Sequence, residues 1–351
     1  MNVPDRADQT GSWLRVEGPE SDVALSSRVR LARNVAGYPF LSKASDRQKA
    51  ELVELCRRRI ESESLSVAAM LWVDLEQLGP TDRQLLVERH LISRQHADGT
   101  GARCVFVSED ECVAVMVNEE DHLRIQVLRS GMDVEQAYRQ ANEVDDALEQ
   151  RIDYAFSEQL GYLTACPTNV GTGVRVSAML HLPALKLTGE IEKVTRAAKD
   201  MRLAVRGFHG EGTDAIGDLY QVSNQTTLGR SEGDILHDFQ DVVMPELIAY
   251  ERRARRALVE KRSIVIDDRI HRAVGVLSHS RLLSCDEAMQ AVSYLRLGLC
   301  LDRLSGISFT DVNDLFHMVQ PAHLQKLAGG PLEGVARREY RARIVRERMI
   351  A

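Results

Sequence analysis

No two cysteines of this chain stand in a C-x-x-C spacing, and the six present (Cys56, Cys104, Cys112, Cys166, Cys285 and Cys300) show no metal-ligand spacing. Reduced thiols in a cytosol are the expectation. No apolar run reaches the length of a membrane-spanning helix. Met1–Gly18 is polar, so no signal peptide is expected. The chain also lacks a Walker A string, a protein-kinase Gly-rich loop and an HRD/DFG set, which excludes the common nucleotide-kinase sites. Neither charge dominates strongly: the net charge of −7 argues against a general nucleic-acid binder, and an acidic surface suits recruitment of basic proteins. With 351 residues, 44% apolar and 28% charged, the composition is that of a globular protein with room for two domains.

Four short segments carry chemistry. Asn118-Glu-Glu-Asp-His-Leu-Arg124 follows the apolar run Val113–Val117, which reads as a buried strand. A strand end is a rigid mount for polar groups around a cleft. There a carboxylate can orient or deprotonate a substrate, and Arg124 can hold an anion. Alone, the cluster would read as a solvated turn. Cys166-Pro-Thr-Asn-Val-Gly-Thr-Gly-Val-Arg175 is a turn whose glycines let backbone N–H groups approach an anion, with a thiol at one end and an arginine at the other. Arg206-Gly-Phe-His-Gly-Glu-Gly-Thr213 is a glycine loop with Arg206 at its root and Glu211 near its tip. In Ser26–Arg33, an extended strand points Arg28 and Arg30 to one face.

Arg28, Arg30, Arg124, Arg175 and Arg206 therefore sit beside strand ends or glycine turns. A guanidinium fork binds two phosphate oxygens and stays charged. Such forks converging on one cleft suit a triphosphate with Mg²⁺, and the carboxylates suit a cationic acceptor. That is the chemistry of phosphoryl transfer to a guanidinium.

The order of elements predicts an α+β fold, a mostly antiparallel sheet flanked by helices, followed by a small all-helical domain. Strands are expected within 23–40 and near 103–108, 112–117, 123–129, 174–182, 202–207 and 218–224. Helices are expected over 45–64, over 80–94 (entered at Thr81 or Asp82) and over 134–160. Residues 1–20 read as a flexible lead, 21–261 as the catalytic domain and 262–351 as the helical domain. Glu232–Lys261 reads as a helix whose Glu251–Arg256 stretch is a solvated charged face. Further helices are expected over Asp267–Ser280, Ser284–Asp302 (with a capping box), Thr310–Met318 and Leu332–Met349.

In this order the four segments resemble the signatures of the phosphagen (guanidino) kinases, over roughly residues 20–245. Within that superfamily the chain is most similar to the bacterial protein-arginine kinase branch, a resemblance that continues through Asp267–Arg348. It implies an ATP-dependent kinase of protein arginines. Arg28, Arg30, Arg124, Arg175 and Arg206 match the ATP-phosphate clamp, and His90 a nucleotide-base contact. Glu120 matches the guanidinium-binding base, Glu211 a second carboxylate on the closing loop, and Cys166 the thiol beside the acceptor nitrogen. The family's other base-contacting histidine falls at Met179. Mg-ATP is the implied cofactor, with Mg²⁺ held mainly through the nucleotide and no metal site of the protein's own. The implied partners are arginine-bearing protein substrates, an McsA-type zinc-binding activator, a Clp chaperone–protease, a stress-gene repressor and a second copy of the chain. Neither nucleic acid nor membrane is implied.

Two sequence features bear on the substrate. Only 27 residues precede Arg28, where relatives acting on small guanidino metabolites carry a whole helical domain, as the resemblance implies. The phosphoarginine-docking motif, Arg-Asp-x-x-Arg-Ala in the family, is matched here at Arg337, Arg341 and Ala342, with Arg338 reversing the charge of the acid. Weak phosphoarginine docking is the expectation. Two other readings stand beside the leading one: a kinase of a free guanidino metabolite, and an inactive phosphoarginine or Clp adaptor. The first is disfavoured by the short N-terminus, the second by the intact Glu120, Glu211, Cys166 and arginine set.

Overall fold

A computed structural model describes residues 10–14, 18–61, 69–207 and 216–350. Ten strands and twelve α-helices occur among them, in the order β1 (Ala24–Arg33), α1 (Asp46–Glu61), β2 (Met70–Asp74), α2 (Pro80–Glu88), α3 (Arg94–Asp98), β3 (Cys104–Ser108), β4 (Val113–Val117), β5 (Leu123–Ser130), α4 (Val134–Glu149), β6 (Phe156–Ser157), β7 (Gly161–Tyr162), β8 (Val174–His181), α5 (Pro183–Leu187), α6 (Ile191–Asp200), β9 (Leu203–Gly207), β10 (Leu219–Asn224), α7 (Glu232–His237), α8 (Met244–His279), α9 (Cys285–Cys300), α10 (Phe309–Met318), α11 (Pro321–Leu327) and α12 (Gly334–Ile350).

Eight strands form one sheet in the order β2-β3-β4-β5-β1-β8-β10-β9. Every pairing in it is antiparallel, as the short spacings between apolar runs lead one to expect. Alternation along the central strands assigns the two faces. Val29 and Leu31 of β1, Ile125 and Val127 of β5, and Val176 and Ala178 of β8 enter the main core, where Ala137, Ala141, Val144 and Leu148 of α4 pack on them. The residues between them point to the opposite face, and burial along β1 relaxes only at Arg28 and Arg30. That second face carries the site.

A second core joins the sheet to the C-terminal helices. Leu25, Leu128, Met179 and Leu219 from the sheet pack with Ala288, Val292 and Leu295 of α9 and with Leu315 and Phe316 of α10. The long α8 runs through the boundary expected at 262. Arg262 departs from helical geometry within it (φ −142°, ψ 34°), and helices on both sides of that point contribute to the main core.

Several expectations need correction. The lead is not frayed at residues 12–14: Trp13 and Leu14 are each 3% exposed and belong to the second core. The helix expected over 80–94 is two helices. The first starts at Gly79-Pro80, because proline favours the first helical position, and the chain then turns through His90 (φ 57°) before Ser93 caps α3. The helix expected over 134–160 ends at Glu149, because Tyr154 bridges to Val35 and residues 156–162 form a small hairpin. The helix expected over 232–261 is broken into α7, a wider π turn over Asp238–Val243, and α8. Its charged face is not fully solvated. Glu251 and Arg255 are buried, ion-paired at 2.8 Å, and the Glu251 carboxylate accepts the Ala184 and Leu185 amides at the start of α5. The helix expected from Thr310 starts one residue earlier, at Phe309, where Ser308 caps it and Asp311 completes the capping box. Short α5, α6 and α11 and strand β2 were not anticipated. Among the described residues no helix is long and apolar enough to cross a membrane.

Candidate active site

The register of the sheet sets the site. Arg30 pairs with Arg175 across β1 and β8, and Arg28 with Ser177. On the other side of β1, Arg30 pairs with Gln126, two residues from Arg124. Arg206 of β9 pairs with Gln221 of β10, which in turn pairs with Met179. Direct partners share a face, so the strands gather the five sequence-predicted arginines on the face away from the main core. They line one cleft of about 250 Å³ together with His90, Glu119, Glu120 and Asn169.

Like charges this close are costly without an anion. Burial pulls the Arg28 guanidinium down to about 10, and the charges of Arg175, Arg124 and Arg206 add to the effect. Burial and its neighbours Arg28, Arg124 and Arg175 push Arg30 well below the ordinary arginine range, with Glu119 opposing. Arg30 Nε is buried without a hydrogen-bond partner. Arg28 is steadied by Gln221, whose Oε1 accepts from its Nη2 at 2.8 Å. Guanidinium forks gathered on one surface suit phosphate oxygens chemically.

The carboxylates stand at the β4–β5 turn, which Asn118 enters at φ 61° and closes by donating its amide to His122 O at 2.9 Å. The adjacent glutamates have different environments. Glu119 is 9% exposed, lies 2.9 Å from Arg124 Nη1 and accepts from Ser93 Oγ at 2.5 Å. Burial alone would raise its pKa, but Arg124, Ser93 and His96 outweigh burial and hold it below the usual value. Glu120 is more open, with its side chain 34% exposed, and meets Arg124 Nη2 at 3.1 Å. Its pKa is raised, chiefly by burial; Arg124 opposes this, and the Glu119 and Asp121 charges add to it. Glu119 is thus a locked partner of Arg124, and Glu120 is the more basic and more accessible of the two.

The remaining motif residues tie the loops together. Asp121, fully buried, accepts from Asn34 Nδ2 at 2.7 Å and from the Ala165 amide at 2.6 Å, which fastens the Glu120 turn to the loop before Cys166. His122 accepts the Val35 amide at Nδ1 (3.0 Å) and bonds Pro39 O through Nε2 (3.0 Å). Cys166 Sγ lies 3.0 Å from Thr168 Oγ1 and is partly exposed. It is not in the arginine lining; Asn169, whose amide donates to Cys166 O at 3.0 Å, connects the two. Glu211 lies outside the described residues.

Arg33 has a different fate from its neighbours in the first motif. It is 2% exposed, bonded to Asp145 and to the carbonyls of Ala32 and Thr172, and lies 3.5 Å above the Tyr162 ring. It braces the turn around Thr172 and does not enter the cleft. On α12, Arg341 is buried and donates to Val319 O (2.7 Å) and Leu283 O (3.0 Å), while Arg337 donates to Leu332 O (2.7 Å). Helix contacts thus already occupy much of the donor set expected for phosphoarginine docking.

Comparison with known proteins agrees with this geometry. Residues 51–254 match the ATP:guanido phosphotransferase C-terminal catalytic domain, and residues 263–351 match the C-terminal domain of the protein-arginine kinase McsB. The protein-arginine kinase of Halalkalibacterium halodurans is 43% identical over 96% of this chain and 94% of its own. That of Symbiobacterium thermophilum is 45% identical over 97% and 96%. The chain belongs to the protein-arginine kinase family. Among solved structures, the duplicated taurocyamine kinase of Schistosoma mansoni, with bound transition-state-analogue components, aligns with a TM-score of 0.61 at 25% identity, over 70% of this chain and 35% of that one. Lombricine kinase shares the fold, with a TM-score of 0.59 at 24% identity over 72% and 71%.

For this kinase, sequence reasoning missed Ser93, Asn34, Asp121, His122 and Gln221. Asp121 and His122 stood inside a quoted motif, and Asn34 directly follows another. Ser93 and Gln221 carry no local signal; only the folded sheet brings them to the site.

Proposed function

We propose that Arg28, Arg30, Arg124, Arg175 and Arg206 hold the triphosphate of ATP while Glu120 receives a protein arginine side chain and takes its proton. The observation that carries this is the placement of Glu120 at the rim of the cleft that the five arginines line, hydrogen-bonded to one of them. A guanidinium is protonated in water, so its nitrogen becomes a nucleophile only as a base removes a proton. The raised pKa of Glu120 makes it a stronger base than an ordinary glutamate. The N–P bond forms as the bond from the γ-phosphorus to the bridging oxygen breaks, and ADP leaves. Mg²⁺, which would arrive on the nucleotide and not through ligands of the protein, would supply further neutralisation of phosphate charge. The arginine forks hold the γ-phosphoryl in line and stabilise its oxygens, so catalysis is positioning and charge neutralisation. In this reading Glu211 closes over the acceptor and Cys166 stands beside its nitrogen.

The same reading places the enzyme in the cytoplasm as a homodimer. An McsA-type activator would stimulate it in stress response and protein quality control. A Clp chaperone–protease would receive the marked proteins, a stress-gene repressor among them.

The test is incubation with Mg·ATP and an arginine-rich protein, with free arginine as a rival acceptor, followed by mass spectrometry under conditions that keep acid-labile phosphate. Phosphate on protein arginine is expected, and Glu120→Gln should reduce it by ~10²–10⁴-fold while retaining ATP binding. Phosphorylation of free arginine alone, or near-normal turnover in the variant, would contradict the assignment.

A further inference from the structure

One wall of the arginine cleft comes from outside the sheet. Ile92, Ser93, Arg94 and Gln95, at the start of α3, line it. Arg94 is thus a sixth arginine at the cleft, and it differs from the other five. Those stand on strands and are all partly buried. Arg94 stands on a helix, is exposed, and has no hydrogen-bond or ion-pair partner among the described residues. The arginine charges that bear on Arg28, deep in the cleft, are those of Arg175, Arg124 and Arg206, all from the sheet.

The backbone under Arg94 is fixed beside the carboxylates. Ser93 Oγ accepts the His96 amide at 3.0 Å, which caps α3, and donates to Glu119 Oε1 at 2.5 Å. The other oxygen of Glu119 accepts the Glu120 amide at 2.8 Å. Two hydrogen bonds therefore join the residue before Arg94 to the backbone of Glu120. The helix is anchored from behind as well: His96 Nε2 meets Cys104 O at 3.1 Å, and Arg103 Nε donates to His96 O at 2.9 Å. Arg94 is an unpaired cation on a rigid mount, at the mouth of the cleft and next to the glutamate that receives the acceptor.

An exposed arginine on an open surface needs no explanation, but one in this place does. The acceptor is itself a guanidinium cation. A fixed positive charge beside its carboxylate opposes its approach unless a counter-charge travels with it. Five forks already face the place of the triphosphate, so the counter-charge comes from the acceptor polypeptide. Residues of an extended chain are about 3.3 Å apart. A carboxylate one to three residues from the target arginine is therefore displaced along the chain by roughly 3–10 Å, within the sweep of a long, unrestrained arginine side chain.

We propose that Arg94 is a specificity-determining residue: it pairs with an acidic side chain close in sequence to the target arginine and disfavours arginines with basic neighbours. The local charge at the mouth is opposite to that of the whole chain, whose net charge is −7. The long-range field attracts basic proteins, and Arg94 then sorts among their arginines at contact. The inference rests on the reading of Glu120 as the acceptor site.

The test uses short peptides with a single arginine flanked by glutamate or by lysine, phosphorylated competitively at saturating ATP and read by mass spectrometry. The unaltered chain should favour the glutamate peptide by about fivefold in kcat/KM, the scale of one exposed ion pair. High salt should shrink that preference. Arg94→Gln should remove it and Arg94→Glu should invert it. Arg94→Lys should keep it, because a point charge is enough for an exposed carboxylate although not for a phosphate fork. No preference in the unaltered chain, or a preference kept in Arg94→Gln, would overturn the proposal. So would a raised KM for ATP in Arg94→Gln with the peptide ratio unmoved, which would make Arg94 a further phosphate ligand. If neither peptide were phosphorylated while free arginine was, the protein-acceptor reading would fall and this inference with it.

Discussion

Arg30 and Arg175 are direct partners across the β1–β8 ladder, two cations side by side on one face of the sheet. Like charges in that position oppose strand pairing. The fold tolerates them because the valines on the opposite face, Val29 with Val176, lie in the main core. Repulsion of this kind is useful only if an anion arrives to relieve it.

Arg30→Met should therefore separate stability from binding. The substitution keeps most of the side-chain volume and removes a desolvated charge. The nucleotide-free protein should melt at the same temperature or about 2 °C higher. ATP affinity should fall by ~10–100-fold, the loss of charge-assisted phosphate bonds. Arg33→Ala should do the reverse, lowering stability through the orphaned Asp145 and affecting ATP affinity much less. Scanning calorimetry with and without ATP distinguishes the two, and a destabilised Arg30→Met with normal ATP affinity would contradict the clamp.

The two glutamates predict a pH effect. Burial, Glu119 and Asp121 raise the Glu120 pKa against the pull of Arg124. The acid limb of kcat/KM should thus lie above the ordinary glutamate value. Glu119→Gln removes one neighbouring negative charge and leaves Arg124 to pair with Glu120 alone, so the Glu120 pKa falls. A base with a lower pKa stays deprotonated to lower pH, and the acid limb should move down. A pH–rate profile of the variant that moves up, or does not move, would count against Glu120 as the base.

Cys166 should be the thiol that reacts first. Cys56, Cys104 and Cys112 are buried, and burial pushes Cys56 and Cys112 to about 12 and Cys104 above its usual value. Cys285 is raised to about 11 by burial. Cys166 is partly exposed on the loop that reaches the cleft through Asn169. Alkylation followed by peptide mapping should find the label at Cys166, with kinase activity lost in parallel and ATP slowing the reaction. First labelling at Cys285 or Cys300 with activity retained would be the contrary result.

Buried histidines should make the protein acid-sensitive. Burial lowers His96 to about 4 and His323 to about 3, and pushes His181 and His317 well down. In the unfolded chain each returns to about 6.5. The unfolded state therefore binds more protons between those values, and stability falls as pH drops below about 6.5. A loss of about 10 °C in melting temperature between pH 7 and pH 5 is expected. A melting temperature that stays flat over that interval would mean that these rings do not stay neutral in the fold.

By itself the sequence determined the chemistry and seven of the eight strands of the sheet. The motif strings named all five arginines and Glu120, because phosphate and guanidinium recognition require particular groups at short spacing. Period-two alternation in Ser26–Arg33 already put Arg28 and Arg30 on one face, and antiparallel pairing followed from short connections. What distance along the chain conceals was decided only by the tertiary structure. Strand register, a property of the assembled sheet, set Arg30 against Arg175 and Gln221 beside Arg28. Which of two adjacent glutamates is locked and which is basic depended on Ser93, which reaches Glu119 from another element. Trp13, His317 and Glu88 have no local signature. They are brought together because burying the apolar residues on the second face of the sheet requires the C-terminal helices and the N-terminal segment to cover it.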